Sequence, residues 1–211
     1  MTSFKLGLMA GTAALAVLGS SALAQEVTGG NTDTTQAMSS NLRAVSQARL
    51  DGADTEKTDW LQVNGGYSQK RYFPSSQINS SNVHQLKTSF IFQTAVLESM
   101  ETAPLVVDGV MYITTSYNHI HAIDAVSGKE FWHYKHAMGP VTVYCCGPNN
   151  RGVAALDGKV FMATLDAKLV ALDAKTGGKI WETQIADPEL GYSETMAPVA
   201  VDGKILIGTN G

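Results

Sequence analysis

The sequence predicts an all-β chain: a β-propeller array of which the first two to three blades are present. Three observations predict it. A strand, Asp-Gly, strand pattern recurs at 104–113, 153–162 and 198–207, turning at Asp108-Gly109, Asp157-Gly158 and Asp202-Gly203. A second block, Ala-x-Asp-x-x-Ser/Thr-Gly-x-x-x-Trp, follows the first two copies at 122–132 and 171–181, starting 14 residues after the turn Asp each time. The two complete copies are offset by 49 residues, the length of a four-stranded blade.

Each element has a local cause. Asp-Gly fills the two central positions of a type I′ turn, which need positive φ and join right-twisted strands tightly. The Trp that closes each second block is expected to dock between neighbouring blades, where its ring is buried and its N–H meets a carbonyl. At the same offset the third copy's second block would begin at position 216, past Gly211, so the array is expected to stop mid-blade, as the front of a longer product. A short β-sandwich with similar hairpins is the plainer alternative.

Ahead of the array, residues 1–24 read as a secretory signal: Lys5, an apolar run at 6–18 broken by Gly7 and Gly11, and small residues to Ala22-Leu23-Ala24. Cleavage is expected after Ala24. No Cys stands near that point to carry a lipid, so the predicted destination is the periplasm as a soluble chain. Losing one Lys and no acid takes the formal charge from −4 to −5, which excludes a basic nucleic-acid footprint. Residues 25–56 read as a polar, flexible leader with one short helix, because Met38, Leu42, Val45 and Ala48 recur at helical spacing. Residues 57–211 are the partial propeller.

The candidate chemistry lies in the loops. Cys145 and Cys146 are the only cysteines and are adjacent. Neighbouring Cα atoms are about 3.8 Å apart, under the roughly 4.4 Å of the shortest ordinary disulfides, so a bond between them strains the peptide and forms a rigid platform. Two buried free thiols are the other reading. Arg151 follows in Cys-Cys-Gly-Pro-Asn-Asn-Arg-Gly, and its guanidinium can fork onto carboxylate or quinone oxygens. His119 and His121, two apart on a strand, share one face, but two imidazoles are an incomplete metal site and read as structural. His84, His133 and His136 show no partner pattern, the turn aspartates are not catalytic candidates, and the eight methionines are scattered core fillers.

The Cys-Cys pair followed by Asn-Arg-Gly, with Glu101-Thr102-Ala103-Pro104, Thr195-Met196-Ala197-Pro198 and the Trp-ended blocks, resembles the alcohol dehydrogenases that depend on pyrroloquinoline quinone (PQQ), of the methanol and ethanol type. The Asp59-Trp60-Leu61 opening and the 78–86 stretch resemble that family's first strand region. The resemblance runs from about residue 57 to the end. It implies an eight-bladed propeller holding PQQ near its axis, with a Cys145–Cys146 disulfide on one face of the quinone and a tryptophan on the other. Glu101 would contact the cofactor, Arg151 would sit by the quinone oxygens and Thr195 would bond a carboxylate. Asn210 and Gly211 match the family's Ser-Gly cofactor contact, with Asn in place of Ser, while Pro148 and Asn149 depart from the usual loop and change its shape more than its chemistry.

The resemblance further implies calcium or a lanthanide ion, a small primary alcohol as substrate, a cytochrome c as electron acceptor and a homodimer as the assembly. The family's metal ligands, base and stacking Trp would fall past Gly211, so no catalytic or metal residue is assigned and the chain alone is expected to be inactive. A cofactor-free propeller scaffold for protein binding in the cell envelope is the alternative function; it gives no role to adjacent cysteines. A membrane-bound glucose-type quinoprotein would open with several spans.

Overall fold

The computed structural model describes residues 38, 41–139, 141 and 147–210. The signal segment, most of the 25–40 stretch, Cys145, Cys146 and Gly211 lie outside these residues.

Two antiparallel four-stranded sheets and a hairpin follow one another. The first sheet runs in chain order through β1 (Leu105–Val107), β2 (Val110–Thr115), β3 (His119–Asp124) and β4 (Glu130–Lys135). The second repeats it with β5 (Ala154–Leu156), β6 (Lys159–Ala163), β7 (Lys168–Asp173) and β8 (Lys179–Gln184). The hairpin pairs β9 (Val199–Val201) with β10 (Lys204–Leu206). The turns are as the sequence requires: φ is 47° and 83° at Asp108 and Gly109, 47° and 75° at Asp157 and Gly158, and 48° and 69° at Asp202 and Gly203. Even the irregularity repeats. Register shifts between Ala122 and Ile123 against β4, and between Ala171 and Leu172 against β8, so both sheets carry the same bulge before the outer-strand Trp.

The second block now has a physical account. Asp124 Oδ1 accepts from the backbone N–H groups of Val126 and Ser127 and from the Ser127 hydroxyl; Asp173 Oδ1 does the same for Lys175, Thr176 and the Thr176 hydroxyl. Gly177 follows at φ +71°, and a Cβ there would lie 2.6 Å from Cε3 of Trp132. Trp132 is fully buried against that turn, with its indole N–H donating to the Ala174 carbonyl at 3.2 Å, so the interblade docking expected of it is observed. Trp181 holds the same register position but is 38% exposed, since among the described residues no further copy of this turn packs on it. Gly128 is the first sheet's counterpart, and there the ring lying on the glycine is Phe90.

Two expectations need correction. The helix in the leader is α1 (Gln47–Asp51), capped by Ser46, and the backbone at 42–46 is not helical. The three-residue spacing of Leu42 and Val45 instead reflects their burial, at 6% and 4% exposure, in a core shared with Leu105, Tyr112, Trp132 and Val160. The described leader is therefore tied down: Asp157 N–H donates to the Val45 carbonyl, and Arg43 and Arg49 pair with Asp108. Second, only part of the supposed first strand region forms. Trp60 bridges Val106, whereas 78–86 holds a 3-10 turn at Val83–Gln85 with Ile78 and Leu86 exposed. Among the described residues no helix is long and apolar enough to cross a membrane.

Candidate functional site

The residues leading into the three inner strands converge. Ala103-Pro104 precedes β1, Gly152-Val153 precedes β5 and Ala197-Pro198 precedes β9, the same repeat position each time. They are small for a reason: Gly152 sits at φ +132°, and a Cβ on it would come within 3.0 Å of the Ala103 carbonyl oxygen. Around them opens a cleft of about 850 Å³, walled by Trp60, Pro104, Met196 and Pro198 and edged by Glu101 and Arg151.

Arg151 is the hub. Its backbone N–H donates to the Thr195 carbonyl at 3.1 Å, its carbonyl accepts from Ala103 N–H at 3.1 Å, and its guanidinium reaches the Thr195 carbonyl again at 3.3 Å. The other arm pairs with Glu101 Oε2 at 2.5 Å, and both side chains are about two-fifths exposed toward the cleft. Thr195 is buried, and its hydroxyl accepts from Asn210 Nδ2 at 3.2 Å, while Asn210 bridges Ser193 through both backbone groups. Glu101, Arg151, Thr195 and Asn210, separated by up to 109 positions in the chain, thus form one connected set.

Two residues have larger roles than their sequence suggested. Asn149 is 1% exposed; its amide donates to Glu101 Oε1 at 3.1 Å and its carbonyl oxygen accepts from the hydroxyls of Ser99 and Ser116. It positions Glu101, so its departure from the family pattern bears on the site and not on loop shape alone. Glu194 has no exposed surface, and neither carboxyl oxygen has a hydrogen-bond partner; burial pushes its carboxyl up from 4.5 to about 7. Only its place beside Thr195 hinted at it.

The histidines also differ from expectation. His136 Nε2 meets the Asp166 carboxylate at 2.9 and 3.1 Å, both residues buried. Burial alone would raise the Asp166 carboxyl, but hydrogen bonds from His136, Thr164 and the Gly139 backbone hold it well below the usual range. This pair ties β4's end to the second sheet. His133 has partners as well, in His119 and His121.

Comparison with known proteins places this geometry in context. The family model for the PQQ-type glucose/ethanol/alcohol dehydrogenase β-propeller domain matches residues 60–208. Over 169 residues the chain is 40% identical to the quinohemoprotein alcohol dehydrogenase ADH IIB of Pseudomonas putida, covering 79% of this chain and 24% of that protein. It is 38% identical over 164 residues to a lanthanide-dependent methanol dehydrogenase of Methylacidiphilum fumariolicum, covering 75% and 27%. Among solved structures, a europium-containing methanol dehydrogenase superposes with a TM-score of 0.73 at 37% identity, over 78% of this chain and 29% of that one. The chain spans about a quarter of the length of the curated relatives it matches.

Proposed function

The chain belongs to the PQQ-type glucose/ethanol/alcohol dehydrogenase β-propeller family, and from that premise we propose that it forms the cofactor-facing part of a periplasmic oxidoreductase acting on small primary alcohols. The observation that carries the reading is the Arg151–Glu101 pair held at the edge of an apolar cleft. The residues present fit a planar quinone bearing carboxylates: Trp60, Pro104 and Pro198 would supply apolar walls, and the Arg151 guanidinium would meet its oxygens. When bound, PQQ supplies the two-electron acceptor for the alcohol carbon.

The chain's own residues bind and orient. Arg151, pinned at its backbone to segments 103 and 195, lines the cleft, and its guanidinium would offer a charge-assisted hydrogen bond to a quinone oxygen there. Glu101, itself held by the Asn149 amide, holds that guanidinium in place. The Thr195 hydroxyl and Asn210 amide, already bonded to each other, would offer neutral donors to a carboxylate; Gly211, and Cys145 and Cys146 joined to each other, would complete the same site as the sequence implies. Calcium or a lanthanide takes about six to eight oxygen ligands. Glu101 is the single carboxylate lining the described cleft and is already paired, so these residues alone do not fit the ion. The signal segment supports the periplasm, and the haem-containing relatives support a cytochrome c as acceptor.

PQQ binding to the purified chain, followed by quenching of tryptophan fluorescence, tests the reading. Saturable quenching that Arg151→Ala weakens by roughly tenfold, the worth of one charged hydrogen bond, is expected. Absence of binding, or binding indifferent to Arg151, would return the chain to the scaffold reading.

A further inference from the structure

Away from the cleft, three imidazoles meet on one face of the first sheet. His119 and His121 are two apart on β3 and so point to the same side, and His133 on β4 stands directly opposite His121 in the register. The His121 and His133 rings stack with centroids 4.2 Å apart, and His119 Nδ1 lies 2.8 Å from His133 Nε2. None of the three lines the cleft. Phe92, from the segment lying over this face, packs edge-on against His121 at 5.3 Å.

The arrangement is prepared at the buried member. His121 is 3% exposed, and its Nδ1–H donates to Glu130 Oε1 at 2.6 Å, which fixes the tautomer and leaves the lone pair on Nε2. That Nε2 is buried and has no partner. An orphaned buried acceptor is costly unless something fills the position it faces. A carboxylate holding one ring nitrogen while the other faces an unfilled polar position is the arrangement that orients metal-bound histidines.

We infer that His119, His121 and His133 bind a divalent transition-metal ion of the zinc or copper type, with Glu130 as a positioning residue behind His121. One nitrogen from each ring lies within 4.8 Å of the others. Closing them on an ion at about 2.0–2.1 Å needs the stacked rings to swivel about χ2, with the ion replacing the proton shared by His119 and His133. Nitrogen donors select zinc, copper or nickel over calcium or magnesium, which separates this site from any hard-cation site of the family chemistry. Three protein ligands leave a fourth position for water or another donor.

The test uses the purified chain without a histidine tag, stripped with EDTA and titrated with zinc against a chromophoric chelator. One zinc per chain is expected. His119→Gln with His133→Gln, both half-buried positions, should weaken binding by roughly 100-fold or more, and Glu130→Gln by roughly 10- to 100-fold. His84→Gln, at an exposed histidine on another segment, should leave it unchanged. Far-UV circular dichroism checks that each variant is folded; if the double variant is not, His119→Gln alone carries the same expectation at roughly tenfold or more. Copper(II) bound to the wild-type chain should show nitrogen splitting in its paramagnetic resonance spectrum. A folded wild-type chain that takes up no stoichiometric zinc, or whose binding survives loss of His119 and His133, or falls equally with His84, would leave only a packed imidazole stack.

Discussion

Replacing Gly177 by Ala adds one methyl group at the point where the second sheet's turn meets the first sheet's tryptophan. The cost has two parts. Gly177 sits at φ +71°, and an L-residue in that left-handed region costs about 1–2 kcal/mol. The new Cβ would also lie 2.6 and 2.7 Å from Cε3 and Cδ2 of a fully buried Trp132, and displacing a packed ring costs about 1–3 kcal/mol more. The expected loss is about 2–5 kcal/mol. Gly158 is the internal control: its φ is +75°, but a Cβ on it meets nothing within 4 Å, so Gly158→Ala should cost only the conformational part, about 1–2 kcal/mol. Urea unfolding monitored by circular dichroism measures both, and Gly177→Ala should also red-shift the fluorescence of the displaced indole. Equal destabilisation by the two substitutions, with unchanged emission, would refute the claim that Trp132 docking dictates the glycine of the repeat.

Two further predictions concern buried acids. Glu194 has its carboxyl raised from 4.5 to about 7, so its contribution to stability is complete below pH 4.5 and is lost as pH rises through 7; Glu194→Gln should match the wild type near pH 4.5 and exceed it by about 3 kcal/mol at pH 8, a gap whose absence in thermal unfolding would refute the shift. Asp166 is shifted the other way, so the stability it lends is present above the ordinary carboxylate range and lost as pH falls through its lowered value. Asp166→Ala leaves His136 and Lys168 without their carboxylate and should cost about 3–5 kcal/mol at pH 7; a loss under 1 kcal/mol by urea titration would count against the pair.

What the sequence determined by itself was everything governed by short-range backbone chemistry. Asp-Gly at three places dictates positive φ at two successive residues, and Asp-x-x-Ser/Thr-Gly dictates a turn in which one carboxylate satisfies three donors, so strand boundaries and repeat length were legible. The Glu101 and Thr195 segments and Arg151 were legible as motifs, and the structure joins them into one set. Which polar side chains share a space was not legible. Asn149 beneath Glu101, Asp166 beside His136 and His133 opposite His121 are separated in sequence by 48, 30 and 12 positions, and no local periodicity couples them. Helical spacing misled for the same reason: Leu42 and Val45 face one way because the first two sheets offer a shared apolar seam, and burial there outweighs the preference of a short segment to coil. Tertiary structure decides such pairings because cross-strand register, which puts opposed side chains within about 4.5–5.5 Å, is set by the long-range closure of the sheet and leaves no trace in the neighbouring residues.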